Sequence, residues 1–146
     1  MYRETLASET RCVLEKISKQ KFIQDFYLVG GTALALFFGH RESIDFDGVA
    51  LADEREIACM KIDAISSRGS KKDFIDLYFL LEKYELSALL AFFEKKYNHI
   101  EYNTLNLLKS LVYFDDAEDD IMPKMLKDVS WNTVKEKILQ EVRKCI

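Results

Sequence analysis

The chain has 146 residues, 49% of them apolar, 32% charged and 12% aromatic, with only five Gly and one Pro. That composition excludes a disordered or linker-built protein, and at this length folding buries roughly two-thirds of the unfolded surface, enough for one hydrophobic core. The net charge of −4 excludes a surface that is basic all over, the kind that tracks nucleic acid without preference, and leaves room only for a local basic patch. The longest apolar run, Ala33-Leu34-Ala35-Leu36-Phe37-Phe38, falls far short of the roughly 20 residues that span a bilayer, and the N-terminus has no apolar leader core. Cys12, Cys59 and Cys145 are odd in number and lack C-x-x-C spacing, which points to reduced thiols and neither a disulfide frame nor a zinc site. The expectation is a soluble, cytoplasmic protein with no membrane segment.

Leu6, Val13, Leu14 and Ile17 recur at helical spacing, so residues 4–20 read as an amphipathic helix. Residues 26–29 are a short aromatic and β-branched run ended by Gly30-Gly31, which suits a buried strand entering a tight turn. Thr32 is placed to cap a short buried helix over 33–38, stopped at Gly39. A polar turn follows at 40–43. Residues 44–47 then alternate apolar and acidic, as a strand with one carboxylate face does.

From Asp53 onward the pattern is helical. Asp53 with Glu56, and Ser70 with Asp73, mark two helix starts, and Phe74, Leu77, Tyr78, Leu81 and Tyr84 form the buried stripe of the second helix. Two further helices are expected over 89–97 and 103–114. The acidic run 115–120 lacks the glycine and the spacing of a calcium loop and reads as a solvated turn before Pro123. Val134, Ile138 and Val142 carry a last helix with basic residues at its C-terminal end.

Two features carry chemistry. Gly30-Gly31-Thr32 at a strand-to-helix turn either solves a packing problem or lets backbone N–H groups approach an anion at a helix N-terminus. Asp45-Phe46-Asp47 places two carboxylates on one strand face, either solvated or neutralised by a divalent cation such as Mg²⁺. His40 reads as a turn residue, and Lys61, Arg68, Lys71 and Lys72 are the basic residues nearest in sequence to these motifs. Each of the four also reads as an ordinary rim or helix-start lysine or arginine.

Together, a Gly-Gly turn followed after 13 residues by Asp-apolar-Asp is the signature of nucleotidyltransferases of the DNA polymerase β superfamily. The wider strings Leu28-Val29-Gly30-Gly31-Thr32-Ala33-Leu34 and Arg41-Glu42-Ser43-Ile44-Asp45-Phe46-Asp47 resemble the AbiEii/AbiGii nucleotidyltransferase toxins. So do the downstream strings over 58–65, around Lys61, and over 68–78, Arg68-Gly69-Ser70-Lys71-Lys72-Asp73-Phe74-Ile75-Asp76-Leu77-Tyr78, with the tail blocks at 113–118 and 122–125. The resemblance implies that Gly30, Gly31 and Thr32 hold triphosphate oxygens, that Ser43 and Asp45 form the family's Ser-x-Asp pair, and that Asp45 and Asp47 ligate Mg²⁺. It makes Lys61 a phosphate partner and either Asp73 or Asp76 the downstream acid, with Arg68 and Lys72 beside the nucleotide. The implied reaction transfers a nucleoside monophosphate from a nucleoside triphosphate to an acceptor, a tRNA end in some members, within a toxin–antitoxin pair.

Relatives place some tens of residues, including strands and a third metal-binding carboxylate, between Asp-x-Asp and the first long helix. Here five residues, 48–52, do the whole connection. The expected fold is therefore α+β and mostly helical, a truncated nucleotidyltransferase core with a sheet of about two strands (26–29 and 44–47) packed on a helical bundle. Residues 1–52 would be the core and 53–146 the helical domain. A sheet that small exposes its edges, which favours pairing across a homodimer. Two functions follow: a nucleotidyltransferase weakened by the missing segment, or a non-catalytic binding module of the same family.

Overall fold

The computed structural model describes residues 7–17, 27–39 and 50–146. Contacts divide the chain into two compact units, Met1–Ile57 with Pro123–Asp128, and Ala58–Met122 with Val129–Ile146.

In the first unit, α1 runs over Ser8–Ile17, with Glu9 in its first turn and Lys16 in its last, charges that complement the helix dipole. β1 is Tyr27–Leu28 and α2 is Gly30–Phe38. α2 is apolar along its length and buries Thr32 through Leu36. It ends where the sequence predicts, because Gly39 adopts a left-handed φ of 59° and donates its N–H to the Ala35 carbonyl. Its start is different. Val29 is the N-cap, Gly30 at φ 73° opens the helix, and Thr32 lies inside it, buried, so Thr32 is not the cap. A side chain at Gly30 would be strained by that φ whatever the space around it.

β2 is Ala50–Leu51 and pairs in parallel with β1, Tyr27 against Ala50 and Leu28 against Leu51, and the Ala52 N–H extends the pairing to the Leu28 carbonyl at 2.9 Å. This corrects the α+β expectation. Helices account for most of the described residues, and two residues on each side make a bridge, not a sheet layer to pack on a bundle. The expected second strand at 44–47 lies outside the described residues, as do His40 and Ser43. β2 lies within the five-residue connector 48–52, and α3 begins three residues after it, at Glu54.

The second unit is built of helices joined by turns, and the first helix begins just before it, within the first unit. α3, Glu54–Ser67, starts where the Asp53 carboxylate accepts the Arg55 N–H at 2.9 Å. α4 is Lys71–Leu81, α5 Leu86–Lys96 and α6 Thr104–Leu111, the last capped by the Asn103 side chain on the N–H groups of Leu105 and Asn106. A four-residue turn, α7 (Asp115–Glu118), precedes α8, Trp131–Arg143, which is capped by Ser130 on the Thr133 N–H. α4 and α6 both pack on α8. Phe74, Ile75, Leu77 and Leu80 of α4, Leu111 of α6 and Ile138 of α8 are fully buried in this unit. Phe74 meets Phe114 and Trp131 with ring centroids 5.1 and 5.9 Å apart, in tilted and edge-on geometries that favour contact between ring quadrupoles.

Candidate functional site

α4 is buried on nearly every side, charges included. Lys71, Asp73 and Asp76 are all buried beside the apolar residues of the same helix. A buried charge is costly unless it is paired, so each of these must find a partner inside the fold. Asp73 and Asp76 are three residues apart and therefore share a helix face. The Lys61 ammonium, carried by α3, lies against that face, 2.8 Å from Asp73 Oδ1 and 2.8 Å from Asp76 Oδ2. Sequence reasoning leaves Asp73 and Asp76 as alternatives; in the structure both hold Lys61.

The second oxygen of Asp73 is engaged as well. Arg68 Nε donates to Oδ2 at 3.1 Å and Ser70 Oγ at 2.5 Å. Arg68 is mostly exposed, so its contribution is screened, whereas Lys61 and both carboxylates are shielded from solvent. Burial alone works to lower the Lys61 pKa, but the Asp76 and Asp73 charges and their hydrogen bonds outweigh it and hold the ammonium above its ordinary value. Burial likewise works to raise the Asp73 pKa. The Lys61 charge and the hydrogen bonds from Lys61, Ser70 and Arg68 prevail, and the carboxyl sits below the usual range. Lys61 and Asp73 are each held in the charged form by geometry that sets them against one another.

An ammonium has three N–H donors. Two of the Lys61 donors go to Asp73 and Asp76, and the third has no protein acceptor among the described residues. The chemical capacity of this arrangement is a fixed, permanently charged donor in a dry setting, suited to one further anionic oxygen.

The basic residues named in the sequence separate into different roles. Lys72 is exposed, and Arg68 reaches from the surface to Asp73. Lys71 does not belong to an exposed basic patch. It is buried, and its Nζ donates to the main-chain oxygens of Glu118, at 3.1 Å, and Asp120, and lies 5.3 Å from the centre of the Trp131 ring. The acidic run is correspondingly more than a solvated turn. Asp120 Oδ2 accepts the Lys71 N–H at 2.8 Å, and Glu118 accepts from Trp131 Nε1 at 3.0 Å and Lys135 Nζ at 2.6 Å. The sequence signal for this clasp is slight, since pairing over 49 residues has no periodicity. Glu141 is another buried acid without a sequence signal, held by Lys137 and Lys144 and kept below its ordinary pKa first by the Lys144 hydrogen bond.

Gly30, Gly31 and Thr32 occupy the first turn of α2 in the other unit, where Gly30 and Gly31 are half-buried and Thr32 is buried. Ser43, Asp45 and Asp47 lie outside the described residues. Among the described residues no three His, Cys, Asp or Glu side chains come together to hold a metal. Asp73 and Asp76 are committed to Lys61, so the described donor set does not fit Mg²⁺.

The site the structure defines is a buried lysine shared by two carboxylates. The particular group is defined by comparison. The family model described as nucleotidyl transferase AbiEii toxin, Type IV TA system, matches residues 12–56. A protein of Aquifex aeolicus (strain VF5), described as uncharacterized, is 30% identical over 202 aligned positions that cover 94% of this chain and 96% of that protein. The chain belongs to the AbiEii family and is a nucleotidyltransferase-like protein of the toxin–antitoxin type. Since 94% of 146 residues is about 137, about 65 of the 202 aligned positions (202 less 137) have no counterpart in this chain. No solved structure matches the chain. Among the described residues no helix is long and apolar enough to cross a membrane.

Proposed function

We propose that the chain binds a nucleoside triphosphate and that Lys61, clamped between Asp73 and Asp76, donates its third N–H to a phosphate oxygen. The observation that carries this reading is the buried ammonium, held in its charged form by two carboxylates, with one donor that meets no acceptor among the described residues. The resemblance gives Gly30, Gly31 and Thr32, at a helix start, the role of donating main-chain N–H groups to phosphate oxygens, and Arg68 and Lys72 the role of adding positive charge. Asp45 and Asp47, two apart in sequence, are the proposed ligands of Mg²⁺, which would neutralise phosphate charge when bound.

The reaction of such a site is nucleotidyl transfer. An acceptor hydroxyl oxygen bonds to the α-phosphorus, the bond from that phosphorus to the β-phosphate oxygen breaks, pyrophosphate leaves with the electron pair, and the hydroxyl proton passes to solvent. Ser43 and Asp45 stand in the family's Ser-x-Asp pair, and the acceptor is an RNA, with a tRNA end the first candidate. A cognate antitoxin is the proposed protein partner, and a second copy of the chain is the proposed occupant of the β1–β2 edge.

We further infer that transfer is weak. The five-residue connector and the roughly 65 unmatched positions support the loss of the segment that brings a third carboxylate. Incubation of the purified protein with α-labelled nucleoside triphosphates, Mg²⁺ and total tRNA tests this. Saturable nucleotide binding with little label in RNA is expected. Rapid labelling that is lost in Asp45→Ala would overturn the impairment, and absence of any nucleotide binding would overturn the reading itself.

A further inference from the structure

Ser70 is the N-cap of α4, yet its side chain makes no capping hydrogen bond. A serine at that position ordinarily accepts an N–H from the first turn, and this contact is the reason serine is favoured there. Here the hydroxyl turns to Asp73 Oδ2 instead, at 2.5 Å. The cap has been taken over from a distance, because Asp120 Oδ2 accepts the Lys71 N–H at 2.8 Å. Ser70 is thereby released from a backbone task and spent on the carboxylate that holds Lys61.

The stereochemistry explains what this achieves. Asp73 faces Lys61 through Oδ1, and a carboxylate held through one oxygen can still rotate about its side-chain bonds. Donors on Oδ2 remove that freedom. Arg68 is one of them, but it reaches in from solvent on a long side chain. Ser70 is short, lies on the same helix terminus as Asp73, and is the closer donor. We propose that Ser70 is a positioning residue which, through Asp73, fixes the Lys61 ammonium for its phosphate ligand. This rests on the nucleotide-binding reading above and extends it to a residue to which the resemblance gives no role.

The experiment uses the full chain and the four Mg²⁺–ribonucleoside triphosphates, one at a time, in calorimetric titrations of wild type, Ser70→Ala, Ser70→Thr and Lys61→Gln. In parallel, the Lys61 side-chain ammonium is observed by ¹H–¹⁵N NMR, where buried and ion-paired protons exchange slowly enough to be seen. Ser70→Ala is expected to bind about tenfold more weakly, the scale of one charge-assisted hydrogen bond, and to broaden or lose the ammonium signal. Ser70→Thr, which keeps the hydroxyl, is expected to restore both, a rescue that a general loss of stability would not give. Wild-type affinity and an unchanged ammonium signal in Ser70→Ala, with binding lost in Lys61→Gln, would overturn the proposal. If Lys61→Gln binds as wild type does, the nucleotide role of Lys61 fails, and the ammonium signal alone decides the positioning role. Should Ser70→Ala fail to fold, Ser70→Gly, which a helix N-terminus tolerates better than Ala, takes its place with the same two outcomes.

Discussion

Replacing Lys61 with Met keeps an unbranched apolar stem, one atom shorter, and removes the charge and the N–H donors between Asp73 and Asp76. Each carboxylate oxygen is 2.8 Å from Nζ, so the two oxygens are no more than 5.6 Å (twice 2.8 Å) apart. At that separation, with an effective dielectric constant of about 20, two unit negative charges repel by about 3 kcal/mol, while both attractions are lost. Removing one partner of a buried ion pair costs about 3–5 kcal/mol in measured cases, and the same range is expected here at pH 7. The pair can escape part of this by taking up a proton. A carboxyl whose folded pKa lies above its unfolded value stabilises the fold below the unfolded pKa, and that contribution is lost as pH rises through the folded one. The stability deficit of Lys61→Met is therefore smaller at pH 5 than at pH 8, by roughly 1.4 kcal/mol for each unit that the pair's pKa rises. Urea denaturation of wild type and variant at several pH values measures it. A deficit below about 1 kcal/mol that is flat from pH 5 to pH 8 would refute the account of a dry, mutually dependent charge cluster.

Three further outcomes follow from the same contacts. Asp73 has a lowered folded pKa, so its contribution is present above its unfolded value and is lost as pH falls through the folded one; acid titration of stability should be shallower below pH 4 in Asp73→Asn than in wild type. Phe74→Ala empties the contact with Phe114 and Trp131 and should cost about 3–5 kcal/mol, read from chemical denaturation together with a changed Trp131 fluorescence maximum. Asp120→Ala removes the acceptor of the Lys71 N–H and should cost about 1 kcal/mol, read in the same denaturation experiment; no change would mean that α4 does not depend on this remote cap.

The helices were legible because their signals are local. Gly39 ends α2 in the left-handed conformation that glycine tolerates, and Asn103 and Ser130 cap α6 and α8 as short polar side chains do. The sheet was misjudged because strand pairing is a long-range property. The run 26–29 has strand composition, and its described pairing is Tyr27 and Leu28 with Ala50–Leu51, inside the short connector where the sequence carries no strand signal. The site was legible as a set of residues and not as an arrangement. The family strings single out Lys61, Asp73 and Asp76, whereas the sharing of one ammonium by both acids depends on Lys61 of α3 reaching the face of α4 that carries them. Lys71 was misplaced for the same reason: next to Lys72 it reads as surface charge, and only the fold reveals Glu118 and Asp120 as its partners. Ser70 reads from sequence as a plain helix start, because the cap that releases it comes from 49 residues away.

The account centres on a lysine held charged for a phosphate. The most direct test is calorimetric titration of Mg²⁺–nucleoside triphosphate into wild type and into Lys61→Gln that is folded by circular dichroism. Saturable binding in wild type and none in the variant is predicted. Equal affinity in the two proteins would contradict it.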